Sequence, residues 1–167
     1  MIRSIFSVDQ RGGLGNKGSL PWPNDPEDMA WFREATTGSV VVMGRRTWDD
    51  PKFPKPLPNR TCVVLSSKKY IPHAHVMSGD VPTIIQSIKE IYTNKNIWII
   101  GGADLLMQTK DYCDEMYIAH RKGSYYSDTR LDITKYLTST RIMSSAPNEK
   151  RTINWCTYKN IDIFRPL

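Results

Sequence analysis

Three places in the chain could hold an anion. Gly44-Arg45-Arg46-Thr47-Trp48 follows an apolar run and offers two guanidinium groups beside a helix start. Free backbone N–H groups at a helix start and planar cationic forks both suit phosphate. Leu65-Ser66-Ser67-Lys68 ends a second apolar run with two hydroxyls and a cation, and Ile100-Gly101-Gly102 ends a third. Glycines there allow close approach by a ligand. Ligands of open α/β sheets bind beyond the carboxyl ends of strands, so three such ends together point to a phosphate-bearing small molecule. The stretch from Arg45 to Lys69 carries seven basic residues against two acidic ones, most of the net +6 of the chain. Such a patch attracts nucleic acid or a phosphorylated small ligand, and it also fits a plain solvated basic face.

Asp28 is the carboxylate best placed for chemistry, and it admits two readings. It lies in the first turn of a helix announced by Asn24-Asp25-Pro26-Glu27, where an acid exposed to water is favoured by the helix dipole. Alternatively it faces inward, on the edge of a stripe formed by Met29, Phe32 and Thr36. A carboxylate in an apolar pocket accepts two parallel hydrogen bonds from a flat N–H fork such as an aminopyrimidine. Gly13-Leu14-Gly15-Asn16-Lys17-Gly18 matches G-x-G-x-x-G after a strand, but Pro21 and Pro23 follow where the dinucleotide fingerprint needs a helix. A glycine-rich loop able to close over a ligand fits better.

The elements that must position these residues form an alternating series. Ile2–Val8 reads as a strand, and the helix after Asp25 runs to about Thr36. Ser39–Met43 and Thr61–Ser66 read as strands. Val81–Tyr92 reads as a helix with Ile84, Ile85, Ile88, Ile91 and Tyr92 on one stripe. Asn96–Ile100 reads as a buried strand, Ala103 to about Thr109 as a short helix and Met116–His120 as a strand. The stretches from Arg141 and from Ile153 onward alternate as paired antiparallel strands. This series predicts an α/β sheet, mostly parallel, with an antiparallel end. With 167 residues, 40% apolar and 24% charged, the chain fits one domain over 1–167.

No apolar run nears the roughly 20 residues of a membrane helix, and the start is too short and interrupted for a signal peptide. Cys62, Cys113 and Cys156 are odd in number and widely spaced, which argues against a disulfide framework and fits a reducing cytoplasm. His73 and His75 lack further ligands nearby, so they read as polar loop residues and no metal is expected.

Taken in order, Leu14-Gly15, Leu20-Pro21-Trp22, Asp28-Met29-Ala30-Trp31-Phe32, Val42 to Trp48, Pro56-Leu57-Pro58-Asn59-Arg60, Leu65-Ser66-Ser67, Ile99-Ile100-Gly101-Gly102 and Tyr117 resemble the dihydrofolate reductase family over nearly the whole chain. The resemblance implies a central eight-stranded, mostly parallel mixed sheet with flanking helices and an antiparallel C-terminal edge. It implies NADPH-dependent reduction of 7,8-dihydrofolate to 5,6,7,8-tetrahydrofolate, feeding one-carbon metabolism and thymidylate synthesis, by a cytoplasmic monomer that antifolates would inhibit. Asp28 would be the only ionisable side chain at the pterin. It would hold the amino group and ring N3 and favour protonation of N5 through a water that Trp22 helps order. Ile5, Met29, Phe32, Phe53, Leu57 and Ile100 would wall the pocket. Arg60 would pair with the substrate's glutamate carboxylate, with Lys55 near it.

On the cofactor side the resemblance implies Ser7, the lid residues Gly13, Leu14, Gly15 and Leu20, and then Gly44, Leu65 and Asp104. Arg45, Ser66, Ser67 and Lys68 would take the adenosine side with its 2′-phosphate. Arg46, Thr47, Gly101, Gly102 and Ala103 would take the pyrophosphate. Asp128 would hold the lid through hydrogen bonds. Ala119 stands where many members carry a threonine bonded to the acid, which would leave Asp28 one partner short. Asp104 stands where some members have a basic residue, and two residues are inserted between Trp48 and Pro56. A related reductase acting on a ribosylamino-pyrimidine would not need Asp28, Trp22 and Arg60 together. A nucleic-acid module would need aromatics interleaved with the basic residues, whereas the basic stretch alternates with prolines and buried-type strands.

Overall fold

The structure is a computed structural model that describes residues 1–161; residues 162–167, included in the single-domain expectation and in the alternating stretch after Ile153, lie outside the described residues. In chain order the elements are β1 (Ile2–Val8), β2 (Gly13–Gly15), α1 (Pro26–Thr36), β3 (Val40–Gly44), α2 (Arg45–Trp48), β4 (Thr61–Leu65) and β5 (His75–Met77). They continue with α3 (Val81–Ile91), β6 (Ile97–Gly101), α4 (Ala103–Thr109), β7 (Glu115–Arg121), β8 (Thr129–Arg130), α5 (Ile133–Tyr136), β9 (Thr140–Pro147) and β10 (Ile153–Asn160).

Eight strands form one sheet in the order β5-β4-β3-β6-β1-β7-β10-β9, and β2 pairs with β8 in a separate ribbon. From β5 to β7 every pairing is parallel; β10 runs antiparallel to both β7 and β9. The continuous apolar run Val40–Met43 is fully buried in the middle of the parallel part, as a strand covered on both faces requires. One core packs α3 and α4 residues, Ile84, Ile85, Ile88, Leu105 and Leu106, against Phe6, Val42 and Ile99. A second gathers Val41, Met43, Trp48, Leu57, Cys62 and Val64 on the other face.

The parallel strands β1, β3, β4, β6 and β7 all end on one edge of the sheet, and antiparallel β10 begins there. The glycine-rich loop, α2, the Ser66–Lys68 turn and α4 therefore emerge side by side. α1 starts where the sequence places it: Asp25 accepts from the backbone N–H of Glu27 (3.1 Å) and Asp28 (3.4 Å), with Pro26 at the first turn.

Some expectations change. Ile91 is exposed and drops out of the α3 stripe, which runs through Ile84, Ile85 and Ile88 to Tyr92, partly buried against the same core. His75 belongs to β5, opposite Val63, and sets its ring edge-on to Tyr92 at 6.3 Å; only His73 is a turn residue, with φ of 66°. Gly13–Gly15 is not all loop, since it pairs with Thr129–Arg130. Cys62, Cys113 and Cys156 are all free and buried. Among the described residues, no helix is long and apolar enough to cross a membrane.

Candidate active site

Asp28 faces inward. Its Oδ2 accepts from Ser7 Oγ on β1 at 2.7 Å, and its Oδ1 accepts a long bond from Trp155 Nε1 on β10 at 3.4 Å. Ser7 pairs with Ala119 of β7, and Ala119 pairs with Trp155. The three residues form one row across three strands, and Ala119, in the middle, contributes no donor. The donors come from the residues on either side, so Asp28 is not one partner short. Trp31 of α1 packs on Trp155 at 6.4 Å between ring centroids and helps fix the indole.

Asp28 is also not the only charged group at this point. Arg121, at the end of β7, brings its guanidinium to 3.7 Å from Asp28 Oδ2 and to 3.3 Å from Asp25 Oδ2. Burial pushes the Asp28 carboxyl above its ordinary value; the Ser7 and Trp155 donors and the Arg121 charge oppose that shift, and the Asp25 charge adds to it.

Trp22 is buried, and Arg121 links it to the acid. Its indole Nε1 has no acceptor among the described residues, Arg121 lies 4.9 Å from its ring centre, and Tyr125 meets it edge-on at 5.8 Å. Ile5, on the same face of β1 as Ser7, is buried, while Phe32, Phe53 and Ile100 pack on the cluster that contains Leu57 and Trp48. Phe53 leans on Trp48 at 6.1 Å despite the insertion around it. Met29 is exposed, so the inward stripe of α1 runs through Asp28, Phe32 and Thr36 and leaves Met29 outside it. Lys55 donates to the Trp48 carbonyl at 2.7 Å, which draws it toward α2. Arg60 donates from Nε to Pro58 O at 2.9 Å and from Nη1 to Thr36 Oγ1 at 3.2 Å, with its guanidinium 6.0 Å from the Phe32 ring. Three contacts thus set its direction.

On the same sheet edge, β3 and β6 end next to each other. Gly44 caps α2 and Gly102 caps α4, neither with a side-chain bond, so the first N–H groups of both helices are left to other partners. A Cβ on Gly44 would sit 3.8 Å from Gly101 O and Gly102 N, and one on Gly101 would meet Thr47 Oγ1 at 3.9 Å. Gly101 has φ of 136°, a conformation that favours glycine. This cradle fits a pyrophosphate: helix-start N–H groups without a side-chain cap and the Thr47 hydroxyl, with Arg46 beside it in the chain of α2. Ala103 and Asp104 open α4, and Asp104 stands in its first turn.

At the next strand end, Ser66 N donates to Met77 O at 3.0 Å and Ser66 Oγ accepts from Lys68 N at 3.1 Å, shaping the turn around Leu65, Ser66 and Ser67. Arg45 gives its Nε to Asp49 at 2.9 Å, an exposed pair that aims the side chain along α2.

The glycine-rich segment is held at both ends. Asp128 accepts from Lys17 N at 2.8 Å, the contact expected of it, and donates its own N–H to Gly15 O at 3.0 Å. Ser19 Oγ donates to Asp50 Oδ1 at 2.6 Å, so the segment after α2 pins the far side. Leu14 packs against the main core and Leu20 is exposed. At its base, buried Asp9 accepts from the N–H groups of Arg11, Gly13 and Tyr125 at 2.9, 2.8 and 2.9 Å. Among the described residues, no three His, Cys, Asp or Glu side chains gather as a metal site.

Sequence reading missed Arg121, Trp155, Asp25 and Asp9 as members of this edge, and it saw Ser7 only on the cofactor side, whereas its hydroxyl serves Asp28. Alternation from Ile153 does put Trp155 on the face of Ile153, but only the β7–β10 register brings it to the acid.

A glycine-lined cradle and a buried acid on one edge of a mixed sheet are the layout of a small α/β enzyme that takes a phosphate-bearing ligand. The chain belongs to the dihydrofolate reductase family, whose family model, described as "Dihydrofolate reductase", matches residues 1–160. The chain is 33% identical over 153 residues to the viral dihydrofolate reductase of Saimiriine herpesvirus 2, covering 81% of this chain and 72% of that protein. It is 40% identical over 106 residues to the dihydrofolate reductase of Mycobacterium tuberculosis, 63% of this chain and 62% of the relative. Among solved structures it is similar to the dihydrofolate reductase from Enterococcus faecalis complexed with NADP(H) and RAB-propyl, with a TM-score of 0.84, 26% identity and 97% of each chain covered.

Proposed function

We propose that this chain reduces 7,8-dihydrofolate to 5,6,7,8-tetrahydrofolate with NADPH, as a single-domain, cytoplasmic monomer serving one-carbon metabolism and thymidylate synthesis. The observation that carries the reading is the buried Asp28 carboxylate, held by Ser7 of β1 and Trp155 of β10 on the sheet edge where the glycine-bearing strand ends also lie. Asp28 would accept the pterin's amino group and ring N–H as a fork. Its negative charge would favour a proton at N5, delivered through a water that donates or accepts beside Trp22. Ile5, Phe32, Phe53, Leu57 and Ile100 would enclose the ring, with Met29 at the outer rim, and Arg60 would grip the α-carboxylate of the glutamate tail. Lys55 would contribute to that end through Trp48.

NADPH, when bound, supplies the hydride. Arg46, Thr47, Gly101, Gly102 and Ala103 would hold its pyrophosphate, with Gly44 and Asp104 bordering it. Arg45, Leu65, Ser66, Ser67 and Lys68 would enclose its phosphorylated ribose. The backbone of Ser7 and the lid residues Gly13, Leu14, Gly15 and Leu20 would close against its reactive end and exclude water. Purified protein mixed with NADPH and dihydrofolate should consume NADPH stoichiometrically with tetrahydrofolate formation, and a diaminopyrimidine antifolate should stop it. Turnover of a ribosylamino-pyrimidine with none of dihydrofolate would overturn the proposal.

A further inference from the structure

Arg121 is only 8% exposed. A buried guanidinium needs partners to offset lost hydration, and this one has an unusual set. Nη1 and Nη2 both reach Asp25 Oδ2 at 3.3 Å, Nη2 lies 3.7 Å from Asp28 Oδ2, and the Trp22 ring covers the group at 4.9 Å. Its Nε is buried without an acceptor among the described residues. Asp25 meanwhile caps α1 through the N–H groups of Glu27 and Asp28. One cation therefore ties the cap of α1, the acid and the end of the glycine-rich segment into a single unit.

We infer that Arg121 is a positioning residue that weakens the site's hold on a protonated aminopyrimidine-type fork relative to an uncharged one, because its guanidinium, fixed between Asp25, Asp28 and Trp22, already supplies the cation that a protonated ring would bring. This rests on the reading above that Asp28 receives such a fork. A neutral dihydropterin and a basic 2,4-diaminopyrimidine offer the same two N–H groups. The second binds a carboxylate as a cation, so it gains from the charge of Asp28 and is repelled by Arg121. Both interactions act where solvent screens weakly.

The charges facing Asp28 are Arg121 from β7 and Asp25 from the start of α1; β1 and β10 present the neutral Ser7 and Trp155. Without Arg121, burial and Asp25 would act on the carboxyl unopposed by any cation.

Three variants test this: Arg121→Met, which keeps an apolar stem under Trp22, Arg121→Lys, which keeps the charge, and Asp25→Asn. Equilibrium binding is measured for trimethoprim, as the basic diaminopyrimidine, and for folate, as the neutral ring. Arg121→Met should tighten trimethoprim about tenfold and change folate less than about threefold, and Arg121→Lys should restore the original ratio. In the ligand-free proteins, the ¹³C carboxyl resonance of Asp28 should titrate at higher pH in Arg121→Met and at lower pH in Asp25→Asn. If both ligands weaken in parallel, or the Asp28 titration does not move in either variant, Arg121 is only a packing residue. Should Arg121→Met not fold, the titration of Asp25→Asn and the ligand ratio of Arg121→Lys decide alone. A wild type that turns over no dihydrofolate would sink the functional reading, while the carboxyl titration would still judge Arg121.

Discussion

Replacing Asp28 by Asn preserves the shape of the side chain and removes its charge. The new amide keeps one acceptor, which can still meet Trp155 Nε1. The Ser7 hydroxyl, now 2.7 Å from an oxygen acceptor, can turn and accept from the new N–H instead. The fold should therefore survive. Catalysis should not: one of two charge-assisted acceptors for the substrate fork becomes a donor, and a charged hydrogen bond contributes about 1.5–3 kcal/mol. Together with the lost charge opposite N5, the expected fall in kcat/KM at neutral pH is about 100-fold or more, roughly 2.7 kcal/mol. The deficit should shrink in acid, where substrate arrives already protonated.

Stability should move the other way. Burial lifts the folded-state pKa of Asp28 above its unfolded value, so ionising it destabilises the native state once the pH rises past the ordinary aspartate range. At neutral pH the Asn variant should melt higher than the wild type, and the two should converge in acid, where the Asp is protonated in both states. Steady-state NADPH consumption and thermal melts across pH measure both effects. A variant with near-normal kcat/KM at neutral pH would refute the assignment of Asp28 as the fork acceptor.

Arg60→Ala should raise KM for dihydrofolate about tenfold, roughly 1.4 kcal/mol, with kcat little changed, and leave a tail-less pterin unaffected; the contacts with Pro58 and Thr36 that orient the guanidinium make the effect one of tail binding. An unmoved KM would take Arg60 out of the site. Arg45→Ala should weaken NADPH by about 1.5–3 kcal/mol and hardly touch NADH, as titrations of both cofactors would show, because Asp49 holds only the Nε of its fork; equal losses would show that Arg45 does not read the 2′-phosphate. For Asp9, burial would raise the carboxyl, but three backbone N–H donors outweigh it and hold it below its ordinary value. Its stabilisation is thus present above the unfolded value and fades as the pH falls through the folded one. Asp9→Asn should lower the melting temperature by about 5 °C at neutral pH, with the gap closing in acid; a gap that persists there would argue for packing.

Much of the edge was legible because strand ends announce themselves. Apolar runs stop at Gly44, Leu65 and Gly101, and a parallel sheet sends all such ends the same way. The cap at Asp25 and Pro26 fixed where α1 begins, but not how it is rotated. Whether Asp28 faced water or protein depended on Ser7 and Trp155, which lie 21 and 127 positions away, and no local pattern encodes such contacts. Arg121 follows the strand read over Met116–His120 and carries no local mark of burial; the Trp22 ring covers it. The ribbon of β2 with β8 and the edge strand β5 are two or three residues long, too short for alternation to register. Ile91 fitted the helical stripe of α3 but is exposed, while Tyr92 beside it turns in against the core and His75.

The row Ser7–Ala119–Trp155 also sets a number. A carboxylate has about four lone-pair positions, two on each oxygen. Ser7 occupies one on Oδ2 and Trp155 one on Oδ1, while Arg121, at 3.7 Å, stands too far off to occupy another. Among the described residues no further donor reaches either oxygen within hydrogen-bond distance, and a planar fork would bring two. The row thus works like a half-filled socket. With the fork bound as proposed, its two donors would fill both oxygens, and a third donor at the position of Ala119 would have to share one of them.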